Sequence, residues 1–399
     1  NVRTLPVLID LNERDVWVSI LPTWHIFERT AEYIVVANGS CLVYSSIRTF
    51  AADLETYKPT LVATVPRIWE SLYSKITAGL KKKDPKKAKI FNALVSISIN
   101  FRRNRRILRD QLPVFAPRSG LSRLAAKIRA ALTCLALAPL YALAQKKFVM
   151  VQEKFGGRLK AAISGGGSLP AFLDEWIDAI GIRIINAYGM TECSPGIAGR
   201  GLQCEIFGTI DPPVGETELR IVDENDQPLP NGSEGEIQVR GAQVFKGYYN
   251  NDEANAQAFT PDGFFRTGDL GRLTLTGELV ITGRAKEIIV LASGENVDPT
   301  NIEATLSMFP FVQDAVLVGQ DKKGLGALIV PDLEKLREFV QEKYNQVLGE
   351  TEEALKDKQL LDRLREEMNK LLNPKKASNP TKSCRTSIFW TRNSLSGRN

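Results

Sequence analysis

The stretch "IINAYGMTECSPG", Ile184–Gly196, follows an apolar run with a tyrosine, a glycine, a threonine and a glutamate within five residues. The apolar run predicts a β-strand. In an open α/β sheet, ligands bind beyond the carboxyl ends of the strands. At that position Tyr188 offers a ring for a base to stack on, Thr191 a hydroxyl for a phosphate oxygen, and Glu192 a carboxylate for Mg²⁺. The alternative is a polar loop that caps the following turn.

A glycine triplet comes shortly before that stretch, in "AAISGGGSLPAFLDEW". Gly165–Gly167 stand between a predicted strand and a predicted helix, where glycines let the backbone approach a flat or charged ligand and the helix start favours anions. The alternative is a tight turn with Ser168 as the helix cap. No Gly-Lys-Ser/Thr follows, so this is not a Walker A sequence. Because the Tyr188 stretch follows so closely, we favour a nucleotide site.

Two further polar signals follow, "GFFRTGDLG" and "ITGRAKEIIV". In the first, Asp269 lies in a glycine-flanked turn, and its carboxylate can accept hydrogen bonds from the vicinal hydroxyls of a ribose. In the second, Arg284 and Lys286 lie at a predicted domain junction, and an arginine can donate to the same sugar or to phosphate. The alternatives are an Asx-turn for Asp269 and a surface ion pair with Glu287 for the two cations.

Length and composition limit the class of protein. The 399 residues predict about two or three domains. Five scattered cysteines without a C-x-x-C fit a reducing cytoplasm and disfavour a disulfide scaffold or a structural zinc site. The single histidine, His25, excludes a histidine-cluster metal enzyme. The apolar run 131–144, which we expect Pro139 to break, is 14 residues long and shorter than the roughly 20 needed to span a bilayer.

The net charge of +6 is unevenly distributed. Between Lys75 and Arg129 there are 16 Lys/Arg and 2 Asp/Glu, a local charge of +14, so the rest carries −8. One interpretation of residues 75–147 is a solvated helical insertion. The other is a peripheral membrane contact, because each basic side chain near an anionic leaflet contributes about 1 kcal/mol and the adjacent apolar run adds burial. Sparse aromatic residues disfavour a nucleic-acid partner.

Strands alternate with amphipathic helices from Val16 onward, which predicts an α/β fold with a mostly parallel, helix-covered sheet. Turn-rich alternating strands then predict a small antiparallel, β-barrel-like unit. A compact α+β module follows, with a strand over "EIIVLA" and a long helical stretch from Asp332 to Leu372. The predicted divisions are 1–204, 205–283, 284–372 and a polar, unpatterned tail, 373–399.

Several of these motifs together resemble the adenylate-forming (AMP-binding) superfamily over roughly residues 1–372. "YGMTE", "RTGDL" and "GRAKEIIVLASGENVDP" are similar to its nucleotide, ribose and hinge motifs, while "LPTWHIFER", "VPRIWE" and "ISGGGSLP" resemble long-chain acyl-CoA or acyl–acyl-carrier-protein synthetases. The resemblance implies that a fatty carboxylate attacks the α-phosphate of ATP to give acyl-adenylate and pyrophosphate. The thiol of coenzyme A or of an acyl-carrier protein then displaces AMP to form a thioester.

The resemblance also implies roles for the nucleotide-site residues. Thr191 would contact phosphate and Glu192 would hold Mg²⁺, which neutralises charge on the transferring group. Asp269 and Arg284 would bind the ribose. The residues that would line the adenine and its approach are Gly165, Gly166, Gly167, Ala187, Tyr188, Gly189 and Met190.

Three other residues receive roles by resemblance. Lys286 would be the hinge about which a mobile C-terminal module rotates between the half-reactions. His25 would lie near the acyl and thiol entry, with an ordinary helix-start residue as the alternative. Gly294 would line the approach of the pantetheine arm.

The chain departs from this family at both ends. A phosphate loop ending in Pro-Lys-Gly would precede residue 1, and no catalytic lysine is recognisable after Asn373, where Lys375, Lys376 and Lys382 cannot be assigned that role. One lost backbone donor is worth about 2.7–4 kcal/mol of transition-state stabilisation. We therefore expect the 399-residue chain to adenylate poorly or not at all, or to be an inactive remnant that binds nucleotide or a membrane surface. Measurable acyl-adenylate formation would contradict this expectation.

Overall fold

The structure, a computed structural model, describes residues 1–349, 357–372 and 387–390. The chain forms two compact units, Asn1–Thr282 and Gly283–Asn399.

A six-stranded sheet organises the first unit, in the order β2-β1-β3-β4-β5-β6. The first five strands of that order run parallel, and β6 pairs antiparallel with β5. This confirms the predicted α/β fold with a mostly parallel sheet. The strands are β1 Val16–Ser19, β2 Cys41–Tyr44, β3 Leu61–Thr64, β4 Ala161–Ser164, β5 Ile184–Gly189 and β6 Gly196–Gly199.

Helices cover both faces of this sheet. Successive strand residues point to opposite sides, and apolar side chains on each side are buried against helices. Trp17 and Leu61 pack in a core with the second helix, whereas Val18 and Val62 pack in another core with the later helices. The helices are α1 Pro6–Ile9, α2 Ile26–Ala37, α3 Phe50–Tyr57, α4 Pro66–Lys83, α5 Pro85–Leu108, α6 Gly120–Glu153 and α7 Ala171–Ala179.

The basic segment folds as an antiparallel pair of long helices, α5 and α6. Asp84 caps α5 by accepting hydrogen bonds from two backbone N–H groups, and Ser119 caps α6 in the same way with one. We expected the apolar run 131–144, interrupted by Pro139, to be too short to span a bilayer, but the helix that contains it passes through Pro139 and is 34 residues long, which is enough by length and composition alone. A proline removes one backbone hydrogen-bond donor, but the helix can continue where the residues around the proline pack against a partner helix.

A second, four-stranded sheet follows in the order β10-β9-β8-β7, with antiparallel pairing between β7 and β8 and between β8 and β9. The turn between β7 and β8 forms around Asp223, whose Oδ1 accepts hydrogen bonds from the N–H groups of Asn225 and Gln227. The elements are β7 Glu218–Val222, β8 Glu234–Arg240, α8 Asp252–Ala258, β9 Phe265–Leu273 and β10 Leu279–Arg284, the last of which crosses the boundary between the units.

The second unit is a small α+β module around one hydrophobic core. Strands β13 and β14 pair antiparallel, and β15 pairs parallel with β14. Its elements are β11 Ile289–Val290, β12 Asn296–Val297, α9 Thr300–Leu306, β13 Val312–Val318, β14 Gly326–Pro331, α10 Leu333–Tyr344, α11 Lys358–Leu372 and β15 Ser387–Trp390.

Three sequence predictions differ from this module. The strand expected over "EIIVLA" is only the two residues of β11, which pair with β12. The helical stretch predicted over 332–372 is two helices, because α10 ends at Tyr344 and Asn345 follows in the left-handed conformation. Four residues of the predicted unpatterned tail form β15. The three tail lysines named above lie outside the described residues.

Candidate functional site

A buried hydrogen bond joins the two polar motifs of the first unit. Tyr188, near the end of β5, donates its hydroxyl to Oδ2 of Asp269 on β9 across 2.8 Å, although the two residues are 81 positions apart in the chain. Tyr188 is 8% exposed and Asp269 5%. Burial, reinforced by the charge of Asp269, raises the pKa of Tyr188, so its hydroxyl remains a donor. The Thr267 hydroxyl accepts from the Asp269 N–H at 3.1 Å. The prediction that Asp269 lies in a turn is wrong, because the residue lies within β9, where the pairing with β8 is irregular.

The turn after β5 depends on the absence of a side chain at Gly189. A Cβ there would lie 2.1 Å from the carbonyl oxygen of Pro195, which is far closer than van der Waals contact allows. That same carbonyl accepts a hydrogen bond from the Met190 N–H at 2.9 Å. The short 3₁₀-helix Thr191–Cys193 follows immediately. The glycine of the quoted stretch therefore lets β5 and β6 approach while the polar residues are presented beyond the strand end.

Glu192 is held from two sides. Its Oε1 accepts from the Tyr248 hydroxyl at 3.0 Å, and its backbone carbonyl accepts from the Phe245 N–H at 2.7 Å. Thr191 beside it is exposed. Burial, together with the charges of Glu192 and Asp269, raises the pKa of the Cys193 thiol to about 12. The cysteine in this motif is therefore a neutral core side chain and does not supply a nucleophile.

The glycine triplet packs between the start of α2 and strand β5. A Cβ on Gly165 would lie 3.2 Å from the ring of Phe27 and 3.6 Å from Cβ of Ala187. Gly166 has a φ of +74°, in the left-handed region that favours glycine. Gly167 lies beside Pro66. The triplet, Ala187 and the Tyr188 turn thus belong to one edge of the sheet.

Two helix starts near this edge differ in how they are capped. The alternative that made Ser168 the cap of α7 is wrong, because α7 is capped at Pro170 without a side-chain hydrogen bond. His25 is exposed and caps α2, with Nδ1 accepting from the Phe27 N–H at 3.2 Å. This is the helix-start arrangement that the sequence left as an alternative. A role for His25 at the acyl and thiol entry stays a prediction.

The remaining predicted residues lie at the start of the second unit. Arg284 is exposed, with Nη1 3.8 Å from Oε1 of Glu287, as the surface ion-pair alternative expected. Lys286 is exposed next to it. Gly294 has a φ of +77° in the hairpin between β11 and β12, and a side chain there would meet open space. Their roles as ribose, hinge and pantetheine residues stay predictions.

The acidic residues at the site fit a Mg²⁺ ion that is held by one carboxylate together with the phosphates of the substrate. Within residues 1–349, 357–372 and 387–390, no three His, Cys, Asp or Glu side chains are grouped to hold a metal ion. Mg²⁺ in phosphoryl-transfer sites is typically held by one or two carboxylates and by the phosphates of the substrate. Glu192, partly exposed and anchored by Tyr248, fits that mode.

A cavity of about 410 Å³ lies away from these residues, where β1, β3 and β4 begin. Lys160 reaches Oδ1 of the buried Asp15 there at 2.8 Å. Its lining residues are Asn12, Glu13, Arg14, Asp15, Thr60, Arg158 and Lys160. None of them belongs to the motifs that predict the nucleotide site.

The family model of the AMP-binding enzymes matches residues 1–249 of this chain, and the model of the AMP-binding enzyme C-terminal domain matches residues 286–388. The chain belongs to the AMP-binding enzyme family. The resemblance inferred from the sequence motifs is thereby confirmed.

Two curated relatives and one solved structure are similar over most of the chain. The chloroplastic long-chain-fatty-acid–[acyl-carrier-protein] ligase AEE15 of Arabidopsis thaliana is 36% identical, covering 84% of this chain and 48% of the relative. The long-chain-fatty-acid–CoA ligase FadD15 of Mycobacterium bovis is 33% identical, covering 84% and 50%. The adenylation domain of a carboxylate reductase from Mycobacterium chelonae has a TM-score of 0.63 at 22% identity, covering 95% and 49%. The chain thus spans about half the length of these proteins.

Sequence reasoning missed two aromatic residues of this edge. Tyr248 orients Glu192 although 56 positions separate them, and the ring of Phe27 packs on Gly165. Neither residue belongs to a sequence motif or stands out in the hydrophobic periodicity. The sequence "KGYYN" predicts a turn, and Phe27 is an ordinary apolar position of a predicted helix. The contacts of Tyr248 and Phe27 are therefore visible only in the structure.

Proposed function

We propose that this chain is part of a ligase that activates long-chain fatty acids with ATP and passes the acyl group to a thiol. Membership of the AMP-binding enzyme family and the names of the two relatives support this proposal. The observation that carries it is the hydrogen bond from Tyr188 to Asp269, because it brings two distant polar motifs to one edge of the sheet. That edge is where an open α/β sheet binds ligands.

The proposed first half-reaction forms an acyl-adenylate. A carboxylate oxygen of the fatty acid attacks the α-phosphorus of ATP, and the bond to the β-phosphate oxygen breaks to release pyrophosphate. Thr191 would donate its hydroxyl to a phosphate oxygen, and Glu192 would hold Mg²⁺, which would neutralise charge on the phosphates. Tyr248 acts as a positioning residue by fixing the carboxylate of Glu192.

The nucleoside is proposed to lie against the glycine triplet and the turn after β5. The triplet Gly165–Gly167 would let the backbone approach it, and Ala187, Gly189 and Met190 would line the turn. Tyr188 is only 8% exposed, so its ring offers little surface for a base to stack on. By donating to Asp269, its hydroxyl orients the carboxylate that accepts from the ribose hydroxyls.

The second half-reaction transfers the acyl group. The sulfur of coenzyme A or of an acyl-carrier protein attacks the acyl carbon, and AMP leaves with the electron pair of the broken C–O bond. We propose Arg284 for the ribose, Lys286 as the hinge, Gly294 for the pantetheine approach and His25 for the acyl entry. The two relatives differ in the acceptor that their names give, which is why both thiols are proposed.

The surroundings of the protein are also proposed. The cysteines at positions 41, 134, 193 and 204 are free thiols, which supports a reducing compartment such as the cytoplasm. The segment 75–147 is proposed to contact a membrane peripherally, where long-chain fatty acids partition. We propose no nucleic-acid partner.

The test is nucleotide binding by the full chain, measured by calorimetry with AMP. Asp269→Asn keeps the shape of the side chain and removes its charge, so we expect AMP binding to weaken about tenfold or more, as for loss of a charge-assisted hydrogen bond. Asp252→Asn, an exposed change on α8, is the matched control and should bind as the parent does.

A second measurement separates binding from turnover. Palmitate-dependent ATP–pyrophosphate exchange by the same preparation would support the ligase, whereas AMP binding without exchange would favour a nucleotide-binding remnant. A folded parent chain that binds no AMP, or an Asp269→Asn variant that binds it as tightly as the parent, would overturn the proposed site.

A further inference from the structure

One side of α6 carries an unbroken apolar stripe on the outside of the molecule. The stripe, which we call the outer face of α6, follows helical spacing along about six turns. Its side chains are between 47% and 83% exposed. They are Leu121, Leu124, Ile128, Leu132, Leu135 and Leu143. An apolar surface this long on a helix indicates an interaction site.

The opposite side of α6 is fixed to the first unit. Ala144 and Phe148 are fully buried, and the rings of Phe101 and Tyr141 stack with centroids 4.1 Å apart. The Gln145 side-chain amide donates to the carbonyl of Ala179 at 3.2 Å. In the part of the chain that the structure describes, α6 is the one helix long and apolar enough to cross a membrane, by length and composition only. With one side in the protein core, it cannot be surrounded by lipid.

Positive charge flanks the outer face. The one acidic residue within α6 is Glu153, at its last position. Arg129, Lys146 and Lys147 are exposed cations of this helix. The edge-to-face contact of Phe91 with Phe148 brings the start of α5, with its exposed lysines 86, 87 and 89, to the end of α6. Asp110 adds a carboxylate to this border, where it pairs with Arg123 and Lys127 of α6. The named cations outnumber it, so the border of the stripe is basic on balance.

We propose that the outer face of α6 docks on the surface of a membrane that contains anionic lipid, with the helix lying parallel to that surface. An interfacial helix of this kind buries its apolar side at the level of the acyl boundary while basic side chains contact the headgroups. The inference rests on the proposed peripheral contact of 75–147 and specifies its residues and orientation. It does not depend on the nucleotide chemistry.

Two features favour a lipid surface over another protein. The stripe is aliphatic throughout, whereas the cores of protein interfaces are enriched in aromatic residues. A second copy of the chain would bring Arg129, Lys146 and Lys147 against the same cations, which costs free energy, whereas anionic headgroups neutralise them. Long-chain fatty acids also partition into the same surface, so docking there would place the enzyme at its substrate.

The test is co-sedimentation of the full chain with vesicles of phosphatidylcholine, alone or mixed with phosphatidylglycerol. We expect the chain to bind the mixed vesicles. The variant Ile128→Gln/Leu132→Gln/Leu135→Gln should lower the partition coefficient about tenfold or more, because three apolar side chains no longer enter the interface. Ile47→Gln/Leu275→Gln/Leu333→Gln changes three exposed aliphatic residues elsewhere and should bind as the parent.

A charge variant tests the second half of the inference. Arg129→Gln/Lys146→Gln/Lys147→Gln should lower binding to the mixed vesicles several-fold, and added salt should reduce the difference, because screened charges attract headgroups less. Circular dichroism and AMP binding of each variant report whether the fold and the nucleotide site persist. Loss of vesicle binding with intact AMP binding therefore concerns this surface alone.

Three outcomes would overturn the inference. The first is a parent chain that binds AMP but binds no vesicles at low salt. The second is a three-glutamine variant of the stripe that binds vesicles as tightly as the parent. The third is vesicle binding that does not depend on the anionic lipid. If sedimentation velocity instead shows that the parent self-associates and the stripe variant does not, the occupant is a second copy, and the membrane proposal is wrong.

Discussion

The carboxyl edge of the six-stranded sheet and the α5–α6 hairpin differ in where their side chains find partners. At the sheet edge, Tyr188, Asp269 and Glu192 bind residues that are far away in sequence. In the hairpin, the inner side of α6 packs on the core while the outer face meets only solvent. A ligand site therefore depends on side chains held from several elements, whereas a surface for docking can be carried by one helix.

The largest expected effect contrasts a buried ion pair of the sheet with an exposed one of the hairpin. Arg200 is 1% exposed and forms two 2.7 Å contacts with Asp174, so Arg200→Met leaves a buried carboxylate unpaired and should destabilise the protein by about 3–5 kcal/mol. Asp110→Asn, which removes the partner of Arg123 and Lys127, should cost about 1 kcal/mol or less. Urea unfolding of both variants measures the difference, and equal losses would break the comparison.

The two sides of α6 should differ almost as much. Phe148 is fully buried, so Phe148→Ala should cost about 3–5 kcal/mol through lost burial and a cavity. Leu135 is 75% exposed, so Leu135→Ala should change stability by about 0.5 kcal/mol or less in the absence of lipid. Thermal unfolding measures both. A large loss for Leu135→Ala would mean that the outer face is already covered in solution.

A third prediction concerns Glu28, a buried carboxyl on α2. Burial raises the pKa of Glu28 to about 7, the Ser19 hydroxyl opposes this, and the charge of Glu32 adds to it. Since the unfolded chain titrates near 4.5, the protonated form stabilises the fold below that pH, and the stabilisation is lost as pH rises through 7.

The measurement is the stability of the parent relative to Glu28→Gln across that range. The parent should lose about 3 kcal/mol relative to the variant between pH 4.5 and pH values above 7. A stability difference that does not change with pH would show that Glu28 is ionised throughout or reaches water.

The smallest effect tests whether the Tyr188 hydroxyl only stabilises the fold or also orients the ligand site. Tyr188→Phe removes the hydroxyl that Asp269 accepts from, at a cost of about 1–2 kcal/mol in unfolding free energy. AMP binding should weaken several-fold because the carboxylate loses its orientation. Tyr57→Phe removes the same hydroxyl from a 48% exposed tyrosine on α3 and is the matched control, which should bind AMP as the parent does. If Tyr188→Phe binds AMP as the parent does, the hydroxyl is structural only.

Much of the fold could be predicted because it follows from local patterns. The strands at Val16, Leu61 and Ile184 come from apolar runs between turn signals, and the helices between them from one-sided apolar spacing. The limits of helices were harder to predict. Pro139 proved tolerable because α6 packs along α5, and the break near Asn345 depends on a left-handed residue that no run of charges indicates.

The candidate site was predictable in its motifs and not in its contacts. The residue types at Tyr188, Glu192 and Asp269 indicate a nucleotide, since an aromatic ring suits a base and the two carboxylates suit Mg²⁺ and a ribose. That Tyr188 bonds Asp269 and is mostly buried depends on how β9 packs on β5, which is set by tertiary structure. The contact of Tyr248 with Glu192 is of the same kind.

If α6 docks on a membrane as proposed, Pro139 would limit how deeply the helix enters the lipid layer. A proline has no N–H, so the carbonyl of Leu135, four residues before it, receives no helical hydrogen bond from position 139. Pro139 is exposed, so this carbonyl lies toward the solvent side of the helix, where water can donate to it. Hydrocarbon offers no donor. In the proposed docking, a backbone oxygen that needs water in the middle of the stripe would therefore hold the helix at the headgroup boundary and outside the hydrocarbon interior.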